Sequence, residues 1–119
     1  MYTISQFAEL LKLSIDTLRY YEKEGLIKPQ RNPQNQRVYS TADVAWMEFI
    51  LRLKQTGMPI SGIKKYALLR EQGPETIEER LFLLYEQQQV LCDKKAEIDA
   101  HVSFLAQKIT TYQKMLTEK

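Results

Sequence analysis

The residues of this chain that can do chemistry are hydrogen-bond donors and cations, not nucleophiles. Between Ser14 and Lys23 stand Asp16, Thr17, Arg19, Tyr20 and Lys23. A guanidinium such as Arg19 can fork onto a guanine edge or clamp a phosphate. The Thr17 hydroxyl can meet a phosphate or a base edge, and the Tyr20 phenol can donate to a phosphate. Asp16 can accept from a cytosine amino group, although supporting the first turn of a helix is its simpler role. A second group, Arg31, Asn35, Arg37 and Tyr39, brackets a stretch rich in Asn, Gln and Pro. Arginines on a short projecting loop suit backbone contact or insertion into a narrow minor groove. Lys64 and Lys65 fall near the start of another helical stretch, where free backbone N–H groups also favour phosphate. Each residue has a plainer reading too. Arg19 can be solvated or paired within the domain, and Arg31 and Arg37 can belong to an ordinary polar loop. Tyr20 and Tyr21 can pack inward, Tyr21 the more readily.

These side chains need elements to hold them, and the sequence punctuates such elements clearly. Ser5 is expected to cap a helix running to about Lys12, with Phe7, Ala8, Leu10 and Leu11 inward. Ser14 is expected to cap a second helix that stops at Gly25. The few residues between these two helices are the spacing of a helix-turn-helix. Residues 26–40 read as two short extended pieces around a Pro/Asn turn, a wing with arginines on both sides of its tip. Ser40 and Asp43 form a capping-box pattern that opens a third helix to about Thr56, with Val44, Met47, Ile50 and Leu51 at helical spacing. Ser61 is expected to cap a fourth helix over Gly62–Arg70, ended by Gly73-Pro74.

From about Glu75 onward the chain contains no Gly or Pro. Ile77, Leu81, Leu84, Gln88, Leu91, Lys95, Ile98, Val102, Leu105, Ile109, Tyr112 and Leu116 alternate spacings of four and three, and ten of these twelve are apolar or aromatic. That is a sustained heptad seam. At about 1.5 Å per residue the helix would span roughly 60 Å. So long a stripe needs a partner, and a second copy is the economical one. Leu84, Leu91, Ile98, Val102, Leu105 and Ile109 are the expected dimerisation residues, with Gln88 and Lys95 as polar interruptions that can fix register. The alternative is a helix folded back on its own domain. The expected fold is therefore mostly α: a winged helix-turn-helix domain with a small β-wing over residues 1–73, then a long coiled-coil dimerisation helix over residues 74–119.

Composition narrows the function classes. The chain has 119 residues and a formal net charge of +2. From Met1 to Gly73 there are 11 Lys/Arg against 7 Asp/Glu, and from Pro74 onward 6 against 8, so the N-terminal part carries the positive field. One cysteine, Cys92, and one histidine, His101, permit no intrachain disulfide and speak against structural zinc or a catalytic triad. No cofactor and no metal are expected. The N-terminus lacks the basic region and the small-residue cleavage site of a secretion signal, and no apolar stretch approaches a membrane span, so a cytoplasmic location without membrane association is expected.

The motifs also occur in a known order. Tyr2-Thr3-Ile4-Ser5, Phe7-Ala8, the tract from Ser14 through Thr17-Leu18-Arg19-Tyr20-Tyr21-Glu22 to Gly25-Leu26-Ile27, Pro29, Arg31, and then Arg37, Tyr39-Ser40 and Asp43 resemble the MerR family of bacterial regulators. The resemblance covers residues 2 to about 70 by motif. It implies a homodimer joined by an antiparallel coiled coil, with the helix-turn-helix in a major groove and the wing against the neighbouring backbone or minor groove. It implies double-stranded promoter DNA and RNA polymerase as partners. It also implies a mechanism that bends and untwists an overlong promoter spacer. By this resemblance Thr17, Arg19 and Tyr20 would be recognition-helix contacts and Arg31, Arg37 and Tyr39 wing contacts; Asp16 and Lys64 are expected DNA contacts on residue type and position alone. The chain departs from larger members by lacking a drug-binding domain, and from metal sensors by lacking their cysteine loop. It is similar to a short branch, some of which respond to aldehydes or oxidative stress through one thiol. Cys92, beside the seam residue Leu91, is the candidate for such a sensor; a plain, partly buried cysteine is the other reading. A simple repressor and a coiled-coil interaction module remain as alternative functions. An enzyme is not expected, because no nucleophile, base and pocket converge.

Overall fold

The computed structural model describes residues 1–118. In chain order it holds α1 (Ile4–Leu11), α2 (Ile15–Lys23), β1 (Gln30–Arg31), β2 (Arg37–Val38), α3 (Thr41–Gln55), α4 (Ile60–Glu71), a 3₁₀ turn (Pro74–Thr76) and α5 (Ile77–Thr117). Two compact units result, one from Met1 to Leu83 and one from Leu84 onward.

Local chemistry sets most of the boundaries. The α1 cap is Thr3, not Ser5. The Thr3 hydroxyl accepts from the Gln6 backbone, and the Gln6 side chain accepts from the Thr3 backbone, closing a capping box. The Tyr2 backbone bridges to Tyr39, so the chain is already extended there, and the helix begins two residues earlier than a Ser5 cap would allow. Ser14 caps α2 as expected, its Oγ accepting from the Thr17 backbone at 3.1 Å. Gly25, at φ +78°, takes the left-handed conformation that closes that helix. Ser40 and Asp43 form the expected capping box at α3. Ser61 caps nothing. The α4 helix starts earlier, with Pro59 at its cap position and no side-chain cap bond, because the fixed φ of proline already suits a helix entry.

The core of the first unit is built by α1, α2, α3, α4 and the segment after α2. Phe7, Leu18, Tyr21, Tyr39, Met47, Ile50 and Ile63 are its largest fully buried side chains. Leu10 is an exception to the expected inward face of α1, at 51% exposure; Leu11 is the buried neighbour. On α3 the buried stripe runs Met47, Ile50, Leu53, while Val44 and Leu51 are only half-buried. The 3.6-residue period fixes the spacing of such a stripe, and packing on α1 and α4 fixes its phase.

The segment joining α2 to the wing lacks regular structure, yet it is firmly held. Leu26 and Ile27 are buried, and the Trp46 indole donates to the Leu26 carbonyl at 2.7 Å. The Arg70 guanidinium lies 4.1 Å from the centre of the Trp46 ring. At the start of α5, Thr76 is buried and donates to the Leu69 carbonyl, while Arg80 donates to Thr76 Oγ1 and to the Gly73 carbonyl.

The second unit is α5 from Leu84 onward, the first two turns of that helix belonging to the first unit. None of its side chains is buried: Ile98, Val102, Leu105, Ile109, Tyr112 and Leu116 are each more than half exposed. No helix of the described residues is long and apolar enough to cross a membrane.

Loss of one cap should be measurable. Ser40→Ala is expected to destabilise the protein by about 1 kcal/mol, since it frees one of the orphan N–H groups of α3. Urea unfolding followed by helical circular dichroism checks this, with an unchanged midpoint as the contrary result.

Candidate nucleic-acid interface

The surface of α2 carries the exposed polar group. Asp16, Arg19, Tyr20 and Lys23 are exposed, while Leu18 and Tyr21 hold the opposite face in the core. Among the described residues no carboxylate lies within ion-pair distance of Arg19, so its guanidinium is not committed inside the fold. Thr17 is less free. Its hydroxyl shares a 2.8 Å hydrogen bond with Ser14 Oγ, and its side chain is half-buried. Tyr20 is 46% exposed, and its ring tilts against that of Tyr21 at 5.6 Å. Tyr21 is a core residue whose phenol oxygen receives a bond from Lys54 Nζ at 3.1 Å. The arrangement gives one exposed guanidinium, one half-exposed phenol and one carboxylate near the start of a helix.

The wing is a tight antiparallel hairpin. Gln30 pairs with Val38 and Arg31 with Arg37. Its loop is ordered by Asn32, whose side-chain oxygen accepts from the Gln36 backbone at 2.8 Å and whose amide donates to the Gln36 side chain at 3.1 Å. Asn35 sits at φ +60°, a left-handed position that asparagine tolerates better than most residues. Arg31 is exposed and spends one donor on the Asn35 carbonyl at 3.0 Å, which leaves most of its fork available.

Two of the expected wing contacts have other primary partners. Tyr39 is 1% exposed and stacks on Phe7 with ring centres 4.1 Å apart and planes 5° from parallel. It is a core residue and not a surface contact. Sequence alternation places it at the end of a strand but cannot say which face the domain covers. Burial pushes its phenol above the ordinary tyrosine range, the nearby Glu22 carboxylate pushes the same way, and Arg37 and Arg31 oppose. Arg37 donates through Nε to Glu22 Oε2 at 2.8 Å, with both side chains largely enclosed. Its charge is therefore engaged by α2. Lys64 likewise pairs with Glu24 Oε2 at 2.9 Å, although nearly half of its side chain remains exposed. Lys65 is exposed.

Glu22, Glu24 and Trp46 were not legible as site residues. Each acts on a group far along the chain, and nothing in local spacing announces such a pairing. On α5, Leu84 is half-buried, and Leu91, Ile98, Val102, Leu105 and Ile109 are exposed. Cys92 is a free thiol, exposed in the single chain.

A family model described as MerR HTH family regulatory protein matches residues 2–69. The chain belongs to the MerR family. An HTH-type transcriptional regulator of Haemophilus influenzae is 36% identical over 114 residues, which span 95% of this chain and 84% of that protein. Among solved structures, HiNmlR, a MerR family regulator lacking the sensor domain and bound to promoter DNA, superposes with a TM-score of 0.76 at 36% identity, covering 95% of this chain and 90% of that one. A MerR family transcriptional regulator from Listeria monocytogenes gives a TM-score of 0.82 at 30% identity, covering 95% and 86%. This MerR-family chain is a DNA-binding transcriptional regulator and not an enzyme.

The free guanidinium on α2 and the buried phenol of the wing make opposite predictions. Arg19→Ala is expected to weaken binding to a specific duplex by about 1–3 kcal/mol, measured by fluorescence anisotropy; unchanged affinity would remove Arg19 from the contacts. Tyr39→Phe is expected to leave that affinity within about twofold. It should also flatten stability against pH above about 10. There the unfolded chain releases a proton that the folded phenol retains, so native stability falls as pH rises. A persisting fall in the variant would assign that pH dependence elsewhere.

Proposed function

We propose that two copies of this chain bind one pseudo-palindromic promoter site, each placing α2 in a major groove and its wing against the adjoining backbone or minor groove. The carrying observation is the seam of α5, a long row of apolar side chains that remains exposed in the single chain. Burying each such side chain is worth on the order of 1.5–3 kcal/mol, and a second copy offers an identical row. Family membership and the likeness to a promoter-bound neighbour supply the DNA half of the reading.

The order of residues in the seam favours an antiparallel pair. A parallel in-register pair would set Lys95 against Lys95 and Gln88 against Gln88. An antiparallel pair with full overlap sets Ile77 opposite Leu116, Leu84 opposite Ile109, Leu91 opposite Val102 and Lys95 opposite Ile98. Each polar seam residue then meets an apolar one and can lay its aliphatic stem across it. Two heads held at opposite ends of such a rod match two half-sites separated along a duplex.

The promoter mechanism follows from rigid spacing. Two heads yoked at fixed separation grip both half-sites only if the intervening DNA conforms. The binding free energy then drives bending and untwisting of the spacer, and RNA polymerase reads the realigned elements. The place of action is wherever that promoter is, the cytoplasm of a bacterial cell.

Selection from a random pool of duplexes tests the reading directly. The recovered site should be a pseudo-palindrome, should bind as a dimer, and should weaken steeply with salt. Gel mobility with the site moved along a fragment should reveal a bend; straight DNA would leave a simple repressor. Leu91→Glu with Ile98→Glu is expected to give monomers in sedimentation and to lower duplex affinity by about a hundredfold or more, since the second head loses its effective concentration. A dimer surviving both changes would contradict the seam.

A further inference from the structure

The ion pair between Glu22 and Arg37 joins the two elements that would touch DNA. Glu22 stands on α2, and Arg37 on β2 of the wing, fifteen positions later. The bond is 2.8 Å, with 30% of the arginine and 23% of the glutamate side chain exposed. The wing is otherwise fastened to the domain at its base, by the Tyr39–Phe7 stack and the Tyr2–Tyr39 backbone bridge. Its strands are only two residues long. Such a hairpin is marginal by itself. The Glu22–Arg37 bond is a direct side-chain tie from the wing to the recognition helix, and the Glu22 carboxylate also lies close enough to Tyr39 to raise its pKa.

We infer that Glu22 is a positioning residue for DNA recognition: it holds Arg37 to α2 and so fixes how far the wing stands from the recognition helix. The inference rests on the DNA-binding reading above. It makes a prediction whose sign differs from simple electrostatics. Glu22 is an anion beside a surface that must approach polyanionic DNA. Deleting it should, by charge alone, tighten binding to every duplex. Releasing Arg37 adds a free cation and pushes the same way. A positioning role predicts the reverse for the specific site. There the wing must meet the backbone at a set distance from the groove that α2 occupies, and a loosened wing gives up that match.

The experiment uses the full chain, the duplex recovered by selection, and a scrambled duplex of equal composition. Glu22→Ala is expected to weaken binding to the selected duplex about tenfold, while binding to the scrambled duplex is unchanged or tightened. Glu22→Gln keeps an acceptor for Arg37 Nε and should lie between Glu22→Ala and the natural protein. Arg37→Ala should lose a similar factor, and the double change should lose no more than either single one, because both remove the same tie. Thermal unfolding of each variant identifies any loss of folded protein; if Glu22→Ala fails to fold, the comparison of Glu22→Gln with Arg37→Ala carries the test. Equal or tighter binding of the Glu22 variants to the selected duplex would overturn the inference, as would additive losses in the double variant. Failure of the natural protein to bind any duplex at low salt would instead overturn the DNA-binding reading itself.

Discussion

The stack of Tyr39 on Phe7 is the contact on which the DNA-facing half of this protein depends. A two-residue hairpin cannot stabilise itself. It holds a place because its last strand ends in a phenol ring that is fully enclosed against α1, with the Tyr2 and Tyr39 backbones hydrogen-bonded to each other beside it. That joint binds the start of the chain, the first helix and the base of the wing into one core. The Glu22–Arg37 pair then adds a tie from the middle of the wing to α2. The wing is thus anchored to both α1 and α2.

The helix-turn-helix is seated by a different set of interactions. Leu18 and Tyr21 fix the rotation of α2 about its axis, so that Arg19 and Tyr20 fall on the open side. The buried Leu26-Ile27 segment prevents the helix end from drifting, and the Trp46 bond satisfies the Leu26 carbonyl, a backbone acceptor of the irregular segment beyond the helix. Lys64–Glu24 and Lys28–Glu71 add exposed ion pairs between α4 and the neighbourhood of α2; pairs of this kind contribute little each in water. Acidic residues therefore serve this basic surface twice, at Glu22 and Glu24, by holding cations in place.

The second unit follows another logic. The apolar row of α5 is exposed along most of its length in the single chain, and a second copy, as proposed, would cover it. In the proposed antiparallel pair, Lys95 would face an aliphatic residue and like charges would be kept apart. In the proposed dimer this rod would couple assembly to DNA binding, because its length would set the separation of the two heads.

Much of this organisation can be read from the residues alone, where short-range chemistry decides. Ser14, Gly25, Ser40 and Asp43 mark helix ends because caps and left-handed turns depend on neighbours a few positions away. The α5 seam is legible because heptad spacing is a property of the chain itself, and the order of motifs is enough to identify the family. Contacts between distant segments decided the rest. Thr3 displaces Ser5 as a cap because Tyr2 is held by Tyr39. Tyr39 itself looks like a wing contact until α1 covers it. Arg37 and Lys64 look like free cations until α2 brings Glu22 and Glu24 beside them. A side chain's type and local spacing tell what it can bond to. Only packing across the fold determines which partner reaches it first.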